Sequence, residues 1–173
     1  MAQTPPAAEL AADLVDDGVA VVGAGADDPA FVGALRDAVA ASDVEGGLGL
    51  VVVDETPAQV PSLRDLAQDT LNALGAGETG HEGMAGPGTV VVRAPGGAGA
   101  VSAPDTGLAR AELDQATLAM VGEPDYPASV DAFSGELGDP GVGAAGAGLI
   151  LLVALAVLAV AAFAAYRSAR VRN

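Results

Sequence analysis

Two acidic residues, Asp54 and Glu55, close the run GLVVVDE (49–55), and a carboxylate pair at the end of a buried strand is a hard-oxygen ligand set. In α/β folds the carboxyl ends of strands are where ligands usually bind. Asp54 and Glu55 are therefore the expected contacts for a divalent cation, Ca²⁺ or Mg²⁺. Asp27, Asp28 and Asp105 also follow apolar runs and are candidates to approach the same edge. The competing reading is that all five fill turns and helix caps, which aspartate does routinely.

The stretch GAGADD (23–28) starts as a dinucleotide fingerprint does, between a strand and a helix. It then places Asp28 where the third glycine belongs and Asp27 where a pyrophosphate would sit. Two carboxylates at a helix start favour the helix and repel a phosphate, so Asp28 is expected to be a cap. His81 is the single histidine and lies in a glycine-rich loop (75–88) with Glu78 and Glu82. One histidine and no cysteine cannot furnish a transition-metal set, and no elbow-type motif pairs a serine with His81. Ser62, Ser102 and Ser129 are expected in caps and turns. No catalytic residue and no organic cofactor are expected.

The elements that must position these side chains follow from periodicity. Ala7, Leu10 and Leu14 mark a short helix, and GVAVVG (18–23) a strand. Pro29 opens a helix with Phe31, Leu35, Ala38 and Val39 on one face. GLVVVDE is the uninterrupted branched run of a strand buried on both faces. Val60, Leu63, Ala67, Thr70, Leu71 and Leu74 form the next helical stripe. GTVVVRAP (88–95) is a third strand, and PGG turns it into a hairpin with AGAVSAP (98–104). Two helices complete the unit. One carries Leu113, Ala116, Thr117 and Met120; the other is capped by Asp125 and striped by Tyr126, Val130, Phe133 and Leu137. The order α-β-α-β-α-β-β-α-α implies an α/β fold, a small sandwich with a mixed sheet of about four strands, over residues 1–138.

Beyond a short linker (139–143), no charge occurs from Ala144 to Tyr166. As a helix those residues would reach roughly 34 Å, enough for a hydrocarbon core of about 30 Å. Leu149, Ile150, Leu151, Leu152, Leu155, Leu158 and Phe163 supply the apolar contacts of this expected transmembrane helix, and Tyr166 the interfacial aromatic ring. A basic tail (167–173) follows, with Arg167, Arg170 and Arg172. The bilayer is thus the first expected partner, and a membrane or envelope protein the second.

Charge narrows the alternatives. All 23 acidic residues and four of the seven basic ones lie before Pro140, a balance of −19; the three tail arginines bring the chain to −16. A surface so negative repels phosphate backbones, which argues against nucleic acid. The positive-inside rule keeps the tail arginines in the cytoplasm and the acidic domain outside, in a single-pass cell-membrane protein. The start, MAQTPPAAELAADLVDDG, has neither the basic nor the apolar region of a signal peptide. That favours the opposite placement, a cytoplasmic domain on a tail anchor.

The strand LVVVDE, the helix SLRDLAQDTLNAL, the strand GTVVVRAP, the late DYPASVDAFSGEL and the C-terminal span with its arginine tail together resemble a known architecture. They are similar to small actinobacterial single-pass membrane proteins, which in turn resemble TPM-domain proteins. The resemblance covers nearly the whole chain. It implies an extracytoplasmic domain held by a C-terminal helix, in the cell envelope, and a part in assembly or repair of membrane complexes. It also implies that phosphatase activity or calcium binding can occur, with Asp54 the one position carried over, for a cation. The expected function is that of a non-enzymatic, membrane-anchored interaction domain. The alternatives are a metal-dependent phosphatase-like domain and a cytoplasmic tail-anchored adaptor.

Overall fold

A computed structural model describes residues 5–59, 61–76 and 86–138. The expected linker, transmembrane helix and basic tail lie outside the described residues, as do His81, Glu78 and Glu82.

Several elements start or stop for a local reason. Helix α1 (Ala7–Asp17) ends on Gly18, whose φ of +72° lets its N–H donate to Leu14 O. The chain then enters β1 (Val19–Val22) without a loop. Helix α2 (Pro29–Ala41) opens on proline, and the Asp28 carboxylate accepts the N–H groups of Ala30 (3.0 Å) and Phe31 (3.2 Å). Strand β2 (Leu48–Val53) is buried at all six positions. Helix α3 (Pro61–Gly75) leads to β3 (Thr89–Ala94), and a two-residue turn at Pro95 and Gly96 joins it to β4 (Gly97–Ser102). Helices α4 (Arg110–Gly122) and α5 (Tyr126–Gly138) follow, and Asp125 accepts the Ala128 N–H at 3.0 Å.

The strands lie in the order β1-β2-β3-β4. The first three are parallel and β4 runs against β3, so the mixed four-stranded sheet expected from sequence is the one present. Alternation along the strands sends side chains to two faces. Val19, Leu50, Val52, Val91 and Ala100 meet Leu35 and Val39 of α2, Leu113 and Met120 of α4, and Val130 and Phe133 of α5. Ala20, Val51, Val53, Val90 and Val92 meet Leu10 and Leu14 of α1 and Leu63 and Ala67 of α3. Helices on both faces explain why β2 reads as an unbroken apolar run.

This layering has an unusual consequence. The steps β1 to β2 and β2 to β3 advance in one direction, yet α2 and α3 cover opposite faces. The two crossovers therefore have opposite hands, and one of them is of the rare left-handed kind. The chains leaving β1 and β2 also diverge to opposite faces, which opens a crevice between their carboxyl ends.

Glycine sets the packing of β4. A Cβ on Gly99 would lie 2.5 Å from the Arg64 backbone nitrogen, so the first turn of α3 rests directly on the strand. With α4 packed on its other face, this edge strand is flanked by helices on both sides.

Candidate functional site

Asp54 stands at that crevice. It is the first residue after β2, and Gly23 is the first after β1. Gly23 has φ +96°, and a Cβ built on it would collide with the Asp54 carboxyl group. Its backbone conformation is what requires glycine there, and the Asp54 carboxylate lies over the space a side chain would take. Glu55 follows, exposed, and Thr56 Oγ1 accepts the Gly96 N–H at 2.8 Å, fastening the loop after β2 to the β3–β4 hairpin. Asp54, Glu55 and Thr56 rim a cleft of about 350 Å³ whose inner wall is apolar, with Val22, Leu63 and Leu66.

The other carboxylates named from sequence do not gather at this cleft. Asp28 is committed to the α2 cap. Asp27 ends a 3₁₀ turn (Ala24–Asp27) and is exposed. The expectation that Asp105 approaches the same edge is corrected by the sheet. Because β4 runs antiparallel, its end and the 3₁₀ turn Pro104–Thr106 lie at the opposite edge, where Ala103 N–H donates to Gly88 O. Among the described residues no group of three or more His, Asp or Glu side chains is placed to hold a metal ion. Asp54 and Glu55 are neighbours at the mouth of the crevice, two of the six or more oxygens that Ca²⁺ or Mg²⁺ takes.

GAGADD resolves as a turn and a cap. The N–H groups that would cradle a phosphate at the start of α2 are taken by Asp28 itself. Ser129 Oγ donates within its helix to Tyr126 O at 2.7 Å, a structural contact.

Sequence reasoning missed Arg93. It belongs to β3, shares a face with Val91, and is only 3 % exposed. Its Nη1 donates to the Ala94 and Gly97 carbonyls, the latter at 3.1 Å. Its guanidinium carbon lies 5.1 Å from the Tyr126 ring centroid, and that ring meets Phe31 edge-on at 5.8 Å. Its Nε has no hydrogen-bond partner among the described residues. One charged residue inside VVVRA was the available signal, since the period-2 alternation of a doubly covered strand forces it inward. Arg93 ties the hairpin to α5, and Tyr126 carries the tie on to α2.

A protein-family model described as membrane protein Rv1476 matches residues 4–173. The chain belongs to that family. No curated protein and no solved structure matches it. The family match runs through the sandwich and on across the charge-free segment. Among the described residues no helix is long and apolar enough to cross a membrane.

Proposed function

We propose that this is a single-pass membrane protein in which residues 144–166 hold a non-enzymatic interaction domain, residues 1–138, at the bilayer. The carrying observation is the 144–166 stretch without charge in a chain of a membrane-protein family whose described helices are unsuited to spanning. Arg167, Arg170 and Arg172 favour a cytoplasmic tail and an extracytoplasmic domain in the cell envelope. The partner is a membrane or envelope protein. An acidic, well-packed domain with exposed loops at both ends of its central strand offers polar recognition, not nucleic-acid binding. Affinity capture from detergent extracts with the full chain and with residues 1–138 tests the reading. A partner recovered by both supports it, and recovery of none by either overturns it. Protease treatment of intact spheroplasts reports the side: cleavage supports an outward domain, and protection until lysis means a cytoplasmic adaptor.

A second reading follows from Asp54 over Gly23 at the switch crevice. There the domain acts as TPM-domain proteins can, holding Ca²⁺ or Mg²⁺ on Asp54 and Glu55 for phosphoester hydrolysis. Calorimetric titration with each cation, repeated on Asp54→Ala and Glu55→Ala, decides it. Heat that vanishes in both variants supports the reading, and no heat in the unaltered protein ends it.

A further inference from the structure

Four arginines lie in the domain, and two of them have settled partners. Arg36 pairs with Asp17, and Arg93 is buried against carbonyls and Tyr126. Arg64 of α3 and Arg110 of α4 are 46 residues apart in sequence, yet both face one cleft of about 260 Å³. Its floor is Ala98, Gly99 and Ala100 of β4, which bring no charge.

One carboxylate shares the cleft. Asp114 Oδ1 lies 3.9 Å from Arg64 Nη1, and Asp114 Oδ2 lies 3.6 Å from Arg110 Nε. Both separations exceed hydrogen-bond length, so Asp114 attracts the two guanidinium groups without accepting a proton from either. Among the described residues neither guanidinium makes a hydrogen bond, and both donor forks are open to solvent, Arg64 at 30 % and Arg110 at 71 % side-chain exposure. Both arginines also occupy the first turn of their helices, where the macrodipole disfavours a cation. Asp114, four residues on from Arg110 in α4, offsets part of that cost for Arg110.

We propose that this cleft binds a phosphate group, bridged between Arg64 and Arg110. Two forks and one carboxylate leave a positive balance inside a domain that is otherwise strongly acidic. A dianionic group with three free oxygens can accept from both forks at once, whereas the resident carboxylate spans the gap without satisfying either. The phosphate comes from a soluble monoester or inorganic ion, or from a lipid headgroup.

The test uses the full-length protein in nanodiscs and follows arginine Nε–Hε resonances, assigned by their loss in Arg64→Gln and Arg110→Gln. Inorganic phosphate is titrated in phosphatidylcholine discs, and phosphatidic acid discs are compared without it. Saturable movement of both the Arg64 and Arg110 signals is expected, with binding about tenfold weaker in either Gln variant. Asp114→Asn removes the competing charge and tightens binding by about threefold. A response to inorganic phosphate identifies a soluble source, and a response confined to phosphatidic acid discs identifies a headgroup; both support the proposal. Unmoved Arg64 and Arg110 signals, movement of the tail arginines alone, or unchanged affinity in Asp114→Asn overturns it.

Discussion

The stretch before Pro140 carries −19 and places its apolar side chains on two faces of a sheet; the stretch after it carries three arginines, no acid and a 23-residue run free of charge. The first has a stable interior and no described helix that suits a bilayer. The second has the composition of a span, with Arg167, Arg170 and Arg172 its only charged side chains. On the proposed reading, folding and location belong to different parts of one chain. Damage to the sandwich should cost stability and leave membrane attachment intact.

The hardest blow to the sandwich is Phe133→Ala. Phe133 is fully buried between α5 and the sheet, and its truncation should cost about 3–5 kcal/mol in urea unfolding of the full chain. The variant should still sediment with membranes; release would show that the domain itself contributes to attachment. Gly99→Ala comes next. The new methyl would meet Arg64 backbone at 2.5 Å, and since backbone cannot swing aside, a loss of about 1–3 kcal/mol is expected from the shift of α3. Asp28→Ala removes the acceptor of two N–H groups at the start of α2 and should cost about 1 kcal/mol, most of it restored by Asp28→Ser.

The smallest effect has the opposite sign. Partial burial, aided by the charges of Glu9, Asp17 and Asp16, raises the Asp13 carboxyl above its ordinary 3.8. A raised carboxyl favours the fold while protonated, so its contribution is present below 3.8 and is lost as pH climbs through the higher folded value. Asp13→Asn should therefore raise Tm slightly at neutral pH, and that gain should vanish when melting is repeated below the ordinary value. A gain that persists in acid would point to helix propensity instead.

Local signals made much of the sandwich legible before any coordinates. Asp28 with Pro29, and Asp125 with Pro127, announce helix starts because caps act within three residues. The branched run at 49–53 declares a strand covered on both sides, and the short break at Pro95 and Gly96 a hairpin. Periodicity says which side of an element is buried but not what buries it. The opposite faces taken by α2 and α3 were hidden for that reason. So was the edge on which Asp105 falls, which depends on the direction of β4. At the candidate site, the position of Asp54 at a strand end was readable, whereas its seat above Gly23 was not. Phe31, Arg93 and Tyr126, and likewise Arg64 and Arg110, meet only through tertiary packing.

Membrane attachment through residues 144–166 is the central claim, and fractionation of cells producing either the full chain or residues 1–138 tests it most directly. The full chain should stay in the membrane pellet through an alkaline wash and leave it only with detergent, while residues 1–138 should stay soluble. A full chain found in the supernatant without detergent, or a truncated one that pellets equally, would contradict the account.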